Sequence, residues 1–261
     1  MSDFIQEAAN IWRRRDLVWN LALKGFKVRY KSSALALLWA VLNPLLMMFI
    51  FVAVFSYVVR LKIPNYPLFL LIALIPWQYL SHCVSLSPTV VISNSVLIKK
   101  VMFPRESLPL SLVVEHGLSF LISLCLLIIF LIAYRIRPTG WAALFIPLAL
   151  VQVMFITGLS LLLSSLNVLY RDVQQLTEVV LLLWFYATPI FYPISMVPEK
   201  FQGWYLINPM AALTVSYRDV LLYAKPPDLF VVGQTVLISL AAFVIGWAVF
   251  RRISPVMADM V

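Results

Sequence analysis

Six stretches of this chain stay apolar for about the length of a bilayer crossing, and no other feature limits its fold so strongly. A helix rises about 1.5 Å per residue, so roughly 20 apolar residues span the hydrocarbon core. Residues 35–59, 68–91, 108–134, 141–169, 173–191 and 229–250 meet that measure. The second stretch is interrupted by Pro76, Gln78, His82 and Pro88, and the fifth is short and runs into a proline-rich segment. Apolar residues make up 63% of the 261 and charged residues 12%, against about 25% charged in a soluble domain. A globule of this size cannot bury so large an apolar surplus, so lipid is its natural solvent. The expected fold is an all-α integral membrane protein of six transmembrane helices. It forms one domain over 1–261, with an arm at 1–34, a membrane region at 35–250 and a tail at 251–261.

The formal charge of +9 does not point to nucleic acid. In a membrane protein, Lys and Arg collect in loops that stay in the cytoplasm and face anionic lipid. On one side fall Arg13, Arg14, Arg15, Lys24, Lys27, Arg29, Lys31, Lys99, Lys100, Arg105, Arg171, Arg251 and Arg252. The other side has Arg60, Lys62, Arg135, Arg137, Lys200, Arg218 and Lys225. This asymmetry predicts cytoplasmic termini, and an even number of spans agrees in placing both on one side. Cys83 and Cys125 lie within apolar runs and read as packing residues rather than a disulfide.

Two segments have a different character. At about 100° per residue, Phe4, Ile5, Ala8, Ile11, Trp12, Val18, Trp19, Ala22 and Phe26 share one arc, with Arg13, Lys24 and Lys27 elsewhere. That is the pattern of a helix lying in the membrane interface. Arg15 falls on the apolar side, so it snorkels or the helix bends near it. The stretch 188–228 carries six prolines, at 189, 193, 198, 209, 226 and 227, yet is largely apolar. Broken apolar segments fit re-entrant or interfacial helices buried in protein. Asn208-Pro209 signals a turn, and residues 210–223 read as a short helix.

Catalytic signatures are missing from the sequence. It has no G-x-x-x-x-G-K-[ST] loop, no H-E-x-x-H, no zinc-spaced cysteines and no G-x-S-x-G elbow. Glu115-His116 inside the third span is the main intramembrane titratable pair. Neighbouring helical residues point about 100° apart and do not pair with each other, so Glu115 reads as a polar contact between helices. A proton relay is the competing reading. Residues 94–105 place apolar anchors beside Lys99, Lys100 and Arg105 at a turn. Asn94 or Ser95 can cap a short helix there, and Pro104 ends it.

Three segments resemble the ABC-2 type permeases that export O-antigen, capsular polysaccharide or teichoic acid. They are KVRYKSSALALLWAVLNP, then IPWQYL with ISNSVLIKKVMFPRESLP, then YRDV, TPIFYPISMVPEKF, INPM and Tyr217-Arg218-Asp219. The resemblance implies a permease subunit in a bacterial cytoplasmic (inner) membrane, without its own nucleotide site or catalytic residues. ATP and Mg would be bound by a separate ABC ATPase, two copies working with a permease homodimer on a lipid-linked polysaccharide. Asn94, Ser95, Lys99, Lys100, Phe103, Pro104 and Arg105 would form the ATPase-coupling segment. The interface helix would include Trp12, Trp19, Phe26 and Arg29, and short outer-gate helices would lie within 194–223.

Sugars offer a C–H face to flat rings, and weak ring contacts let a polymer slide. On the first span Trp39, Asn43, Leu46, Ile50 and Tyr57 share a face while Phe51 and Phe55 point away. On the fifth, Trp184, Thr188 and Phe191 follow i, i+4, i+7 spacing. Both faces are candidate channel walls. A multidrug-type ABC-2 permease and a proton-coupled secondary transporter are the alternatives. A membrane enzyme acting on lipid-linked sugars lacks a catalytic cluster.

Overall fold

The computed structural model describes residues 15–31, 36–100 and 103–260. Helix α1 covers Arg15–Lys31, α2 Ala36–Val52, α3 Tyr66–Ser93, α4 Ser95–Lys100 and α5 Ser107–Ala133. Then come α6 (Phe145–Leu169), α7 (Val173–Tyr186), α8 (Glu199–Tyr205), α9 (Pro209–Leu221), α10 (Leu229–Ile253) and α11 (Met257–Met260). Among the described residues there are no strands. Among the same residues, five helices are long and apolar enough to cross a membrane: Trp39–Val58, Tyr66–Ser93, Ser107–Ala133, Gly140–Leu169 and Leu229–Val256. The protein is a multi-pass all-α membrane protein.

The fifth expected span is the main departure from the sequence reading. It ends at Tyr186 as a 14-residue helix, because Pro189 pushes the residue before it out of the helical region. The second span, in contrast, is not broken by its prolines. It runs 28 residues as one helix and is the central pillar, with 78% of its most apolar window buried, against 11% for the first span. Neighbouring helices bond to it directly. Gln152 Nε2 donates to the Pro76 carbonyl at 2.7 Å and Asn167 Nδ2 to the Pro88 carbonyl at 2.8 Å. Tyr79 OH donates to the Val113 carbonyl at 3.1 Å. Without a hydrophobic drive between helices in lipid, such bonds and close packing supply the specificity.

Helix α2 opens into a π-helical turn at Ala53–Val58. Helix α10 starts on a capping aspartate, with Asp228 Oδ1 accepting from Phe230 N at 2.8 Å and Val231 N at 3.3 Å. It then packs tightly along α6, where Gly158 and Gly246 bring the two backbones together. A Cβ on Gly246 would collide with the Gly158 carbonyl, and one on Gly158 with the backbone of Ala242 and Phe243. Both cysteines are free. Cys83 is buried as expected, whereas Cys125 is exposed on the outside of α5.

Because the Gly246 obstruction is backbone, which cannot swing aside, Gly246→Ala should destabilise the protein by about 1–3 kcal/mol. Gly203, in α8, has nothing within 4 Å of a built Cβ. There, Gly203→Ala should be neutral or slightly stabilising, since glycine weakens a helix by roughly 1 kcal/mol. Thermal unfolding in detergent distinguishes the two.

Candidate functional site

The irregular backbone after α7 sets the first requirement. Carbonyls at membrane depth need partners from the protein, and those of Pro189 and Ile190 lie beyond the end of a helix. Arg218 in α9 supplies the partners. It is 2% exposed. Its Nη1 donates to the Pro189 carbonyl at 2.6 Å, its Nη2 to the Ile190 carbonyl at 2.6 Å, and its Nε to the Phe69 carbonyl at 3.2 Å. The guanidinium carbon sits 3.3 Å from the Phe69 ring centroid, a cation–π contact in a desolvated setting. The sequence reading counted Arg218 among loop charges. The structure instead places it inside the protein, where it joins α9, the start of α3 and the chain after α7. Its neighbour Asp219 turns to Lys225 at 3.2 Å.

Asn208 makes a second junction nearby. Its Oδ1 caps α9 by accepting from Met210 N at 3.0 Å, and also accepts the Trp184 indole N–H at 2.8 Å. Its Nδ2 donates to the Ala187 carbonyl and to Thr188 Oγ1, both at 3.2 Å. The i, i+4, i+7 face expected on the fifth span is therefore not an open wall. Thr188 is fully buried, and its hydroxyl donates to the Trp184 carbonyl at 2.8 Å. Trp184 packs edge-on against Trp77 and Phe155, with ring centroids 6.2 and 5.9 Å away. Phe191 lies past the helix end.

An open cleft of about 710 Å³ runs between α2, α3 and α7. Asn43, Gln78, Ser81, His82 and Glu178 bring polar groups to it, and Phe51, Trp77, Phe185 and Tyr186 bring rings. On α2, Asn43, Leu46 and Ile50 line it as the spacing predicts. Phe51, expected to point away, lines it too, and Phe55 joins the same ring cluster. Phe51 stacks on Phe185 at 5.9 Å and on Phe191 at 5.7 Å, and Phe191 stacks on Phe55 at 4.9 Å. At about 100° per residue Phe51 lies only about 40° from Met47, so the cleft takes in both flanks of the Asn43 face. Phe55 sits in the π-helical turn, where the 3.6-residue period fails. Trp39 and Tyr57 are exposed at opposite ends of the span and lie outside the cleft lining.

At the α4 end of the bundle the coupling candidates divide into two faces. Val96, Lys99 and Lys100 are exposed and Ser95 half-buried. Phe103, Pro104 and Arg105 are half-buried, and Phe103 packs inward against a second core cluster. Asn94 starts α4 with its carbonyl, which accepts from Ile98 N at 3.1 Å. Its side chain does not cap α4 as expected, but donates back to the Val90 carbonyl at 2.8 Å.

Helix α1 lies against α5. Trp19 is exposed, Phe26 is half-buried and Ala22 is buried. Trp12 and the Arg29 side chain lie outside the described residues. Gly25 faces the Glu115 carboxylate so closely that a Cβ there would collide with it. Glu115 is buried at this helix contact, and His116 lies 5.5 Å, ring centroid to centroid, from His82. No group of three potential metal ligands occurs among the described residues.

The family model described as ABC-2 type transporter matches residues 16–222. The chain is 37% identical over 251 residues to an O-antigen export system permease protein, RfbA, of Klebsiella pneumoniae, covering 94% of this chain and 95% of that one. A permease protein of the same description from Myxococcus xanthus is 34% identical over 226 residues, covering 86% and 87%. The polysialic acid transport protein KpsM of Escherichia coli is 20% identical over 239 residues, covering 88% and 91%.

Replacing Arg218 with Met keeps an apolar stem but strips donors from three buried carbonyls, at about 1–3 kcal/mol each. Arg218→Lys keeps charge but loses the planar fork and its stacking. Both variants should lower the unfolding temperature, Met more than Lys. A cysteine probe at Phe201 in α8 should become more reactive to a water-soluble maleimide as the helices around α9 loosen.

Proposed function

We propose, from the premise that this chain belongs to the ABC-2 type transporter family, that it is the membrane subunit of an ATP-driven exporter of lipid-linked cell-surface polysaccharide. The observation that carries this reading is the cleft between α2, α3 and α7. It brings the polar groups of Asn43, Gln78, Ser81, His82 and Glu178 together with the rings of Phe51, Trp77, Phe185 and Tyr186. A glycan needs both, because its hydroxyls require hydrogen-bond partners while its C–H faces stack on rings at roughly 0.5–1.5 kcal/mol each. Contacts that weak hold a polymer without stopping its slide. The relatives named for O-antigen and polysialic acid transport support the same substrate class.

The cleft is open on one side, and the first span beside it is only 11% buried in its most apolar window. A second copy of the chain closes that side, so the working form is a homodimer with the channel between its permeases. Energy comes from a separate ABC ATPase, two copies of it, which bind ATP and Mg. Lys99 and Lys100, with the exposed Val96, present a basic and apolar surface for that partner. By the charge asymmetry of the loops, this α4 end and both termini lie in the cytoplasm and the membrane is the bacterial inner one. The short helices α8 and α9 then form the outer gate, held in place by Arg218 and Asn208.

The coupling role passes from Phe103 and Arg105 to the exposed face of α4. Lys99→Glu combined with Lys100→Glu should leave membrane insertion intact and weaken co-purification with the ATPase. For the channel, Phe51→Leu with Phe185→Leu keeps apolar bulk and removes two rings. Surface glycan should fall while protein level and ATPase association hold. Undiminished export in that double variant would leave the rings as packing only.

The competing proton-coupled reading rests on Glu115. Its place against Gly25 favours a structural contact between α1 and α5. Glu115→Gln should therefore preserve export, and collapsing the proton gradient at constant ATP should not abolish it. Loss of export under either condition would favour the secondary transporter.

A further inference from the structure

We infer that the C-terminal segment from Ile253 to Met260 is a brace that binds the ATPase-coupling segment to the last span. This inference rests on the docking role proposed for α4. The route of the chain is the first observation. Helix α10 ends at Ile253, and Ser254–Val256 forms a 3-10 turn with Pro255 in its first turn. The chain does not leave the bundle there. It folds back as α11, which packs against both α4 and α6.

The contacts at this turn are specific. The Arg105 guanidinium donates to the Ser254 carbonyl. That bond joins the turn after α4 to the end of α10, across 149 positions of sequence. Met257 is fully buried, and so is Phe250, seven residues before it. They share a core cluster with Ile98 of α4, Leu108 of α5 and Val168 of α6, and Phe103 packs on its edge. This cluster is separate from the large core around α3. The inward residues of the coupling segment are thus committed to the tail. Its outward residues, Val96, Lys99 and Lys100, stay exposed.

This arrangement has a mechanical meaning. A push delivered on the exposed face of α4 passes through Ile98, Phe103 and Arg105 into the end of α10. Helix α10 is locked to α6 at Gly158 and Gly246, so the push reaches the bundle through two spans. Without the brace, α4 keeps Ile98 in the small core with Leu108 and Val168 but loses Met257 and the Arg105 bond to the end of α10. Arg105 and Met257 are positioning residues in this scheme. They hold the docking element in place and do not contact the partner.

The test uses the full permease–ATPase complex with three changes: Arg105→Gln, Met257→Asp, and a chain ending at Ile253. The readouts are yield of monodisperse complex, ATP turnover, and surface glycan exported per ATP hydrolysed. All three forms should still bind the ATPase. ATP turnover should stay within about twofold, while glycan per ATP falls by at least about fivefold, the lower range of typical coupling between sites. Arg105→Lys retains a donor for the Ser254 carbonyl and should recover much of the loss. A purely structural role predicts lower yield with an unchanged ratio. An unchanged ratio in Arg105→Gln and Met257→Asp overturns the brace, even if the shortened chain fails to fold. If Lys99→Glu with Lys100→Glu leaves ATPase binding intact, the docking reading fails instead.

Discussion

A guanidinium cannot shed its charge, and in this protein one is sealed away from both water and lipid. Arg218 is tolerated because three carbonyls and the face of Phe69 surround it. Two of those carbonyls belong to the chain that has just left α7, so the dependence runs both ways. Broken backbone at this depth needs a donor, and a buried donor needs acceptors. The result fixes where α7 stops, how α9 enters the bundle and where α3 begins. The ring cluster and the cleft are built on those three positions. Phe191 follows directly on Ile190, so its stacking on Phe51 and Phe55 is set by the Arg218 bonds one residue earlier.

The two ends of the molecule are organised differently. Around α9, hydrogen bonds from Arg218, Asn208 and Tyr217 hold short, irregular pieces in register; Tyr217 OH donates to Gln152 Oε1 at 2.7 Å. Around α4, apolar side chains of the tail, α5, α6 and α10 gather into a small separate core. Directional bonds suit a region whose backbone is irregular. Non-directional apolar packing suits a contact that must carry force. The pillar α3 and the glycine-mediated α6–α10 contact connect the two ends.

Much of this was legible in the sequence because lipid imposes a simple rule on length and polarity. The long spans and the short helix after Asn208-Pro209 follow from spacing and apolarity. Of the expected amphipathic arc, Ala22 is buried, Trp19 is exposed and the residues before Arg15 lie outside the described ones. The site was less legible. Asn43 lies on the expected face, and Phe51 joins it because the cleft is wide enough to take in the neighbouring flank of α2, whereas Phe55 sits in the π-helical turn. Thr188 and Phe191 were placed on a helix that ends before them. Arg218 falls within the expected short helix 210–223 and in the Tyr217-Arg218-Asp219 stretch, but neither says which way its guanidinium turns. Only the tertiary arrangement brings it to the Pro189 and Ile190 carbonyls, 29 and 28 positions away. Likewise Arg105 has the look of a surface cation until the tail folds back beneath it.

The shortness of α7 has a consequence for the membrane itself. Its 14 residues reach only about 21 Å at the usual rise, against a hydrocarbon thickness of roughly 30 Å. Leu176, Val179, Val180 and Leu183 are exposed on it, an apolar surface too short to match the hydrocarbon core. A helix this short is accommodated by local thinning of the bilayer or by association with another helix. Either answer falls beside the cleft that α7 lines, so one truncated helix makes that flank of the bundle the place where the oily layer is most easily breached.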